Sequence, residues 1–226
     1  MLRYLLSSTA ALILLPNLPL AAGERKAEGT PLLISQAPDG RLAGWKAFHE
    51  RQASIGDVWT LREGVLTCKG LPLGYLYTEK AYTDFRLTLE WRSPTEKKPG
   101  KGGVLFRKSG KDQIWPRSLE AQLNTGDEGD FWGLDGYALS GPADRLKRVQ
   151  HARFGQLIGL RRTRDAVRKP GEWNLYEISA REGTVTLKIN GEVVNRATQC
   201  AVVAGPICLT AEGDEIHFRN VRIILE

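Results

Sequence analysis

Apolar and polar residues alternate along much of the chain, in short runs separated by Gly, Pro and Asn. In the clearest run, DFRLTLEWR, charged or polar residues alternate with four apolar residues that share one face: Phe85, Leu87, Leu89 and Trp91. A period of two residues is typical of a β-strand with one buried face. The pattern therefore predicts strands over most of the chain.

The other runs predict the architecture. Similar alternation recurs in GVLFR, SLEAQL, TVTLKI, GEVVN, GPICLTA and EIHFRNVRI. Asn190-Gly191, between two of these runs, is a strong β-hairpin signal because both turn positions favour positive φ. About ten or more short strands indicate an all-β fold, a two-sheet antiparallel β-sandwich of the jelly-roll type. No long helical period is present, although RLKRVQHARFGQL could hold a short helix.

The N-terminus has the pattern of a secretory signal peptide. Arg3 precedes a short apolar run, and small residues follow up to Gly23. The run is too short for a membrane span, and no later stretch approaches the roughly 20 apolar residues that a span needs. We therefore expect a signal peptide at 1–23, a flexible lead-in at 24–30 and a single secreted or periplasmic domain at 31–226.

The net charge of +6 is concentrated in one segment. We interpret this basic insertion, around 143–170, as a solvated loop, and contact with an anionic sugar or the cell envelope is the alternative. No aromatic residue lies within RRTRDAVRK to stack on a base, and export separates a protein from DNA, so no nucleic-acid partner is expected. Residues 145–169 hold one acid, Asp165, and nine basic residues: Arg145, Lys147, Arg148, Arg153, Arg161, Arg162, Arg164, Arg168 and Lys169.

The chain has three cysteines, which cannot all pair with one another. Gly205-Pro206 suggests a bend that could bring Cys200 and Cys208 together as a disulfide in an exported protein. Three buried thiols are the alternative, because sequence spacing does not give the geometry of a disulfide. The spacings fit no zinc site.

The segment WPRSLEAQLNTGDEGDFWG, residues 115–133, carries a carboxylate between apolar residues. Alternation directs the leucines and the alanine of this strand to the core. It therefore places Glu120, Gln122 and Asn124 together on the outer face. Such a group is a candidate site if neighbouring strands add further polar residues.

Neighbouring segments supply such residues. Arg107 from VLFR and Glu90 from LEWR can extend a charged surface across the sheet, and a solvated face with an Arg107–Glu120 ion pair is the alternative. Trp115 and Trp132 lie near the strand ends, where exposed aromatic rings beside polar groups suit sugars. Core packing is the expected role of three other tryptophans: Trp45, Trp59 and Trp91.

Five segments, taken in their order along the chain, carry a resemblance to a known family: GYLYTEKAYTDFRLTLEWR, GGVLFR, WPRSLEAQLNTGDEGDFW, KPGEWNLYEISAREGTVTLKINGEVVN and GPICLTAEGDEIHFRNVRI. Together they resemble the 3-keto-disaccharide hydrolase family over roughly residues 30–226. The resemblance implies a concanavalin-like or laminarinase-like jelly roll. It also implies hydrolysis of a glycosidic bond in a sugar oxidised to a ketone at C3, alongside a partner oxidoreductase that makes the ketone.

A ketone at C3 would change how the bond is cleaved. The carbonyl acidifies the proton on C2, so the C1 substituent can leave by elimination before water adds. This reaction needs a base, a group that polarises the carbonyl and an acid for the leaving oxygen. Two carboxylates flanking an oxocarbenium ion are then not required. The glucanase-like E-x-D-x-x-E motif is absent, since Gln122 and Thr125 stand at the other two acidic positions after Glu120.

Residue chemistry on the matching strands suggests roles. We expect Glu120 to be the base at C2, Arg107 to hold the C3 oxygen or orient Glu120, and Gln122 to bind a sugar hydroxyl. His217 in EIHFRN is a candidate acid, and a structural role is its alternative. Glu212 in TAEG is a candidate second carboxylate or a turn cap.

The loop TGDEGD groups Asp127, Glu128 and Asp130. Oxygen-rich loops bind calcium, so these acids are candidate Ca²⁺ ligands, although the spacing is not that of an EF-hand and a solvated turn is the alternative. No other cofactor is indicated, because metalloprotease, phosphate-loop, dinucleotide and nucleophile-elbow motifs are absent.

Two functions follow from these observations. The first is a hydrolase or lyase acting on an oligosaccharide or glycoside oxidised at C3, and the second is a non-catalytic carbohydrate-binding sandwich. An envelope protein that docks through its basic loop is a third possibility.

Overall fold

The computed structural model describes residues 29–94 and 100–226, which are almost entirely β. These ranges include a helix at Ile55–Val58 and a 3-10 turn at Ala143–Arg145. The strands, in chain order, are β1 Thr30–Pro31, β2 Trp45–His49, β3 Trp59–Arg62, β4 Val65–Cys68, β5 Gly74–Thr78, β6 Phe85–Arg92, β7 Gly103–Phe106, β8 Ser118–Gln122, β9 Phe131–Leu134, β10 Leu146–His151, β11 Gly155–Leu160, β12 Asn174–Arg181, β13 Thr184–Ile189, β14 Glu192–Ala197, β15 Cys208–Ala211 and β16 Ile216–Leu225.

The strands form two antiparallel sheets. The front sheet has the order β10-β11-β9-β8-β7-β15-β5-β2. The back sheet has the order β14-β13-β12-β6-β16-β4-β3, with β1 paired to β16. The prediction of an all-β sandwich of two antiparallel sheets is confirmed.

The core lies between the sheets and follows the alternation in the sequence. The four apolar residues of DFRLTLEWR are buried in β6, and Leu119 and Ala121 of β8 are buried opposite them. Trp45, Trp59 and Trp91 pack in the same core, as predicted. Burial of each large apolar side chain contributes about 1.5–3 kcal/mol, so this interior is the main source of stability.

The Asn190-Gly191 turn connects β13 to β14, as predicted. Asn190 has a φ of 51° and Gly191 a φ of 86°. Two successive positive φ values twist the turn in the sense that suits a two-residue hairpin. Asn190 Nδ2 also donates a hydrogen bond to the carbonyl of Ala166 at 2.8 Å, which attaches the end of the basic insertion to this hairpin.

The first part of the basic insertion is a β-hairpin, so the prediction of a loop is wrong for residues 146–160 and the suggested short helix is absent there, whereas residues 161–170 form a loop, as predicted. Strands β10 and β11 pair from Leu146 with Leu160 to His151 with Gly155. Val149 and Phe154 pack on the outer face of the front sheet, and this burial overrides local helix propensity. Lys147 and Arg148 are exposed on β10, the edge strand of the front sheet, where charge discourages pairing with another chain.

The three cysteines are free buried thiols, and of the two arrangements that the sequence left open the Cys200–Cys208 disulfide is not formed. Burial raises the pKa of the Cys68 thiol to about 12. Burial likewise raises the pKa of Cys200 to about 11. Thiols with such values stay protonated at neutral pH and are poor nucleophiles.

The predicted signal peptide, residues 1–23, lies outside the described residues. Within the part of the chain that the structure describes, no helix is long and apolar enough to cross a membrane.

Candidate functional site

One row of residues crosses the outer face of the front sheet in continuous register. Side chains that face each other on neighbouring strands project to the same side of a sheet. Glu120 therefore lies on the outer face between Trp132 of β9 and Leu105 of β7, as the alternation predicted. The whole row, from β10 to β2, is Lys147, Gly159, Trp132, Glu120, Leu105, Cys208, Tyr77 and Lys46.

Apolar side chains cover the outer face around Glu120. Tyr75 and Leu105 are buried there, with Trp115 and Trp132 packed against the same cluster. The tip of the β10–β11 hairpin contributes Phe154, whose ring centroid lies 4.4 Å from that of Trp115. This cover removes water from a face that alternation alone describes as polar.

A cavity of ≈ 310 Å³ lies between this cover and the sheet. Its volume is near the lower end of the range for small-molecule sites, about 300–1,000 Å³. The aromatic residues of its wall are Tyr75, Trp115 and Phe154, and its polar residues include Lys101, Asn124, Thr210 and Glu212.

Glu120 and Glu212 form a hydrogen-bonded pair of carboxyl groups at this cavity. Glu120 projects from β8 and is only 3% exposed, whereas Glu212 follows β15 and lines the cavity. Neither Oε1 atom has a hydrogen-bond donor among the residues that the structure describes. Two buried carboxylates this close cannot both ionise without strong repulsion, so the pair shares a proton.

The surroundings of the two carboxyls separate their pKa values. Burial, and then the charge of Glu212, raises the pKa of Glu120 well above its ordinary value of 4.5. Burial also raises the pKa of Glu212, but hydrogen bonds from Thr210 and Asn124 and the charge of Lys101 oppose that rise. We therefore assign the shared proton to Glu120 and the negative charge to Glu212.

Gly103 provides the space for this pair. It is the β7 partner of Gln122. A Cβ at position 103 would overlap Oε1 of Glu120 and would lie 2.9 Å from its Cδ. The Glu120 carboxyl can therefore occupy its position only because residue 103 has no side chain.

Gln122 and Asn124 lie on the same face as Glu120. Asn124 Oδ1 accepts a hydrogen bond from the Gly102 amide at 2.9 Å, which leaves its amide N–H groups for Glu212. Gln122 Oε1 is buried and accepts no hydrogen bond within the described ranges. Gln122 thus keeps its predicted place beside Glu120, and Asn124 joins the site as a residue whose role the sequence left unassigned.

Arg107 is not part of this site, and the prediction that it faces Glu120 is wrong. Its backbone φ of 53° at the end of β7 breaks the alternation and turns the side chain away from the outer face. The guanidinium is fully buried, with Nη2 3.0 Å from Asp84 Oδ1. It also donates to the carbonyls of Thr83 and Ala201 at 3.0 and 3.1 Å, so its role is structural.

His217 and Glu90 lie on the back sheet, so the prediction that they join Glu120 is also wrong. Both project from the outer face of that sheet, on the far side of the core. His217 Nε2 lies 2.8 Å from Glu215 Oε1. Glu90 Oε2 lies 2.6 Å from Arg219 Nη2. Alternation identified these residues as outward-facing, but it cannot tell which of two sheets a strand joins.

Trp115 and Trp132 were predicted near the strand ends, and the structure places both on the outer face of the front sheet, while their contact with a sugar stays a prediction. Trp115 lines the cavity. Trp132 lies next to Glu120 and over Gly159. Sequence reasoning missed Tyr75, although alternating tyrosines in GYLYT were a usable signal, and it missed Phe154 because the hairpin was predicted as a loop.

The three acids of TGDEGD, namely Asp127, Glu128 and Asp130, do not form a cluster that could hold a metal ion, so the structure gives the calcium candidate no support. Asp130 Oδ1 accepts a hydrogen bond from the Arg162 amide at 2.8 Å. Glu128 is buried, and its Oε2 accepts one from the Gly126 amide at 2.9 Å. Throughout the described chain, no group of three or more His, Cys, Asp or Glu side chains is placed to hold a metal ion.

Known proteins provide an independent comparison. A family model described as a 3-keto-alpha-glucoside-1,2-lyase-like domain matches residues 34–224. A search of curated proteins gave no match.

Solved structures share the fold at low identity. A candidate glycosyl hydrolase from Parabacteroides distasonis is 23% identical, with 88% of this chain and 84% of that chain covered and a TM-score of 0.55. Another from the same organism is 18% identical, with coverages of 80% and 87% and a TM-score of 0.56. The carbohydrate-binding module CBM66 from Bacillus subtilis is 11% identical, with coverages of 80% and 94% and a TM-score of 0.56.

Proposed function

The chain belongs to the 3-keto-alpha-glucoside-1,2-lyase-like family, and on that premise we propose that it cleaves the glycosidic bond of 3-keto-glycosides by eliminating the substituent at C1. The observation that carries this proposal is the Glu120–Glu212 pair, two carboxyls whose pKa values are raised by burial, at a cavity with aromatic walls. A desolvated carboxylate of this kind suits removal of a proton beside a carbonyl.

Glu212 is the proposed base at C2. It lines the cavity, whereas Glu120 lies behind it, so the base role expected of Glu120 passes to its partner. Burial raises the pKa of Glu212, which makes its carboxylate a stronger base than one in water. Glu120 is the proposed positioning residue, because its proton holds the Glu212 carboxylate in place.

Lys101 is proposed in place of Arg107 as the group that polarises the C3 carbonyl. It lines the cavity together with Glu212, and its Nζ lies 3.3 Å from Asp214 Oδ2, which restrains it. A positive charge at the ketone oxygen stabilises the enolate that forms when C2 loses its proton. Gln122 stays a candidate for binding a sugar hydroxyl, since it lies on the same strand face as Glu120.

The proposed reaction balances without a redox partner. Glu212 takes the C2 proton, and the electron pair of the C2–H bond forms an enolate with C3. When the C3 carbonyl reforms, a double bond forms between C1 and C2 and the C1–O bond breaks. The Glu212 carboxylic acid gives its proton to the departing oxygen, which restores the carboxylate, and addition of water across C1 and C2 completes a net hydrolysis.

The experiment is to incubate the protein with a 3-keto-glucoside and to separate the products by chromatography. The wild-type protein should release the aglycone, and it should leave the parent glucoside intact because that C2 proton is not acidic. We expect Glu212→Gln to lower turnover by about 10²–10⁴-fold. The matched control is Glu177→Gln, on β12 of the back sheet, which should behave like wild type.

The second candidate function is carbohydrate binding without chemistry, a function that the same fold also supports in CBM66. In the same experiment, saturable binding of the 3-keto-glucoside without release of the aglycone would favour this alternative and would contradict the lyase proposal.

Export is part of the proposal. The sequence of residues 1–23 supports it, and a secreted or periplasmic enzyme would meet glycosides already oxidised at C3 by a separate oxidoreductase. A reporter enzyme active only outside the cytoplasm, fused after residue 30, should be active. An inactive reporter would contradict export.

A further inference from the structure

The tip of the β10–β11 hairpin, residues 151–155, crosses the outer face of the front sheet. Strands β10 and β2 are the two edges of that sheet. Arg153 of the hairpin tip nevertheless places its Nη2 3.9 Å from Oε2 of Glu50, which follows β2. The Glu50 amide donates to the carbonyl of Leu73 at 2.8 Å, and Leu73 lines the same cavity as Phe154. The hairpin tip therefore joins the two edges of the sheet above the cavity.

Ring contacts and a weak ion pair hold the hairpin tip in this position. The ring centroid of Phe154 lies 4.4 Å from that of Trp115 and 5.0 Å from Cζ of Arg153. The ion pair between Arg153 and Glu50 is long, and the arginine side chain is 63% exposed, so it contributes little to stability. An edge hairpin attached in this way can open locally while the central strands stay folded.

The backbone of the hairpin tip depends on the imidazole of His151. This residue ends β10 and pairs with Gly155. Its Nδ1 accepts hydrogen bonds from the amides of Arg153 at 3.1 Å and Phe154 at 3.2 Å. An imidazole nitrogen accepts a hydrogen bond only when it carries no proton. Both bonds therefore require a neutral imidazole with its proton on Nε2, and they fix the backbone that carries Phe154.

Protonation of His151 removes this support. A proton on Nδ1 faces the two amide protons, so both hydrogen bonds are lost and the imidazolium must turn away from them. Its ring centroid lies 4.6 Å from that of Phe154 and 6.3 Å from that of Trp115, so rotation of the imidazole also disturbs the ring contacts above the cavity. Histidine is the side chain that gains a proton between about pH 8 and pH 5.

The charged groups around the hairpin tip come from several elements. Arg153, in the same turn, opposes a second positive charge, and Glu50 faces Arg153 from the turn after β2. Asp135, after β9, accepts a hydrogen bond from Gln113 Nε2 at 3.0 Å. Asp112, on the segment that carries Trp115, is bound by a lysine and a tyrosine, each at 2.7 Å. These acids already have partners, so loss of the two amide hydrogen bonds is the main effect of the added proton.

We propose that His151 is a positioning residue, which holds the hairpin tip closed over the cavity when its imidazole is neutral and releases it when the imidazole is protonated. The consequence for turnover rests on the proposed lyase function, whereas the movement of the hairpin tip does not. When the tip is closed, Phe154 and Trp115 exclude water from the cavity that Glu212 lines, which favours proton abstraction by its carboxylate. A fall in pH therefore regulates the site by weakening the binding of substrate.

The test uses two substitutions of His151 and a control. In His151→Asn the amide oxygen can replace Nδ1, because an Asn side chain accepts hydrogen bonds from backbone amides that follow it and does not titrate. His151→Ala has no acceptor. The control, His217→Asn on the back sheet, removes a different histidine and leaves the hairpin tip intact.

Nuclear magnetic resonance measures the hairpin tip without substrate, over the range from about pH 8 to pH 5. In the wild type and in His217→Asn, the amide signals of Arg153 and Phe154 should shift as His151 gains its proton. The closed population, measured by nuclear Overhauser contacts between the rings of Phe154 and Trp115, should fall by about tenfold, as expected for the loss of two ordinary hydrogen bonds. These contacts should persist in His151→Asn at both ends of the range and be weak in His151→Ala throughout.

Kinetics with a 3-keto-glucoside test the consequence for the site. Over the same pH range the KM of the wild type should rise by about tenfold, in proportion to the loss of the closed population, and the KM of His151→Asn should stay constant. The kcat should fall in both proteins, because Glu212 is protonated in both.

Other results would overturn the proposal. Ring contacts that persist in the wild type at low pH, or amide shifts that are the same in His151→Asn, would mean that His151 does not hold the hairpin tip. An equal rise in KM in both proteins would mean that the tip does not regulate binding. If the wild type turns over no 3-keto-glucoside, the lyase proposal fails, and the spectra recorded without substrate still decide whether His151 controls the hairpin tip.

Discussion

The outer faces of the two sheets carry glutamates at equivalent alternating positions, but the surroundings of these glutamates differ. On the back sheet, Glu90 Oε2 lies 2.6 Å from Arg219 Nη2. Trp173 lies between two arginines there, with Cζ of Arg92 at 4.5 Å and Cζ of Arg219 at 4.1 Å from its ring centroid. On the front sheet, Glu120 makes no ion pair within the described structure and shares a proton with another acid.

The difference shows that the chemistry of a glutamate on a sheet face depends more on whether other side chains cover that face than on the sequence of the strand. On the back sheet, cations neutralise the carboxylate in contact with water, which gives a weak surface interaction of about 0–1 kcal/mol. On the front sheet, the hairpin tip and Trp115 exclude water, so burial raises the pKa of both carboxyls. Desolvation thus makes a basic carboxylate from a residue type that elsewhere forms a salt bridge.

The largest expected effect is a difference in stability loss between substitution of a buried arginine and substitution of an exposed one. Arg107→Ala leaves the Asp84 carboxylate and two carbonyls without their donor, and we expect it to destabilise the protein by about 3–5 kcal/mol. Arg219→Ala on the back sheet should cost about 1 kcal/mol or less. Urea denaturation measures both. Equal, small losses would contradict the buried role of Arg107.

A methyl group added to the front sheet should lower the free energy of unfolding more than one added at a turn of the back sheet. Gly103→Ala forces Cβ onto the Glu120 carboxyl, so we expect a loss of about 1–3 kcal/mol in stability together with a fall in turnover. Gly183→Ala is the control, since its Cβ would meet nothing closer than 3.7 Å. Normal turnover in soluble Gly103→Ala protein would show that the carboxyl pair is not needed.

The carboxyl pair should give the front sheet a pH dependence that Glu120→Gln changes. The amide of Gln can still donate to Glu212, so turnover at neutral pH should survive, whereas a Glu120 base would make this variant inactive at every pH. In the wild type, turnover should fall at low pH as Glu212 is protonated and at high pH as Glu120 ionises. The variant should lose the high-pH fall, which a pH–rate profile measures.

The free energy of unfolding should also depend on the protonation of the Glu120 carboxyl. A carboxyl whose pKa is higher in the folded than in the unfolded chain stabilises fully below its ordinary pKa of 4.5, and that contribution is lost as the pH rises through the folded value. The free energy of unfolding of the wild type should therefore decline over this range more than that of Glu120→Gln. Parallel curves would mean that Glu120 is ionised in the folded protein.

The smallest expected effect is on the back sheet. His217→Asn removes a group that lies 2.8 Å from Glu215 Oε1 but is separated from the carboxyl pair by the core. We expect a change in stability below about 1 kcal/mol and normal kcat and KM. A selective loss of kcat would show that the back sheet takes part in the reaction.

Alternation predicted much of this structure because a strand has only two faces. It placed Leu119 and Ala121 in the core and Glu120 on the outer face, and the Asn190-Gly191 turn followed from its backbone preference. The same reasoning failed at Arg107, where a positive φ ends the period of two. It also grouped His217 with Glu120, since a local pattern does not record which strands become neighbours.

The partner of Glu120 was predictable only in part. Glu212 comes from a segment 92 positions further along the chain, and its approach to Glu120 depends on the β7–β15 pairing and on the absence of a side chain at Gly103. Phe154 reaches the cavity because a charged segment folds as a hairpin, driven by contacts that form only in the complete sheet. Both features depend on tertiary contacts, so the local alternation of apolar and polar residues could not predict them.

Phe154 lies in the turn of the β10–β11 hairpin, and β10 is the edge strand of the front sheet. Glu120, in contrast, is on β8 in the middle of the sheet. An edge strand has a neighbour on one side only, so its turn can gain, lose or exchange residues without breaking the ladder that holds the acids. Over evolutionary time, the shape of the accepted sugar can therefore diverge while the proton chemistry stays the same. Diversity among relatives of this protein should concentrate at residues 151–155, with the central strands changing last.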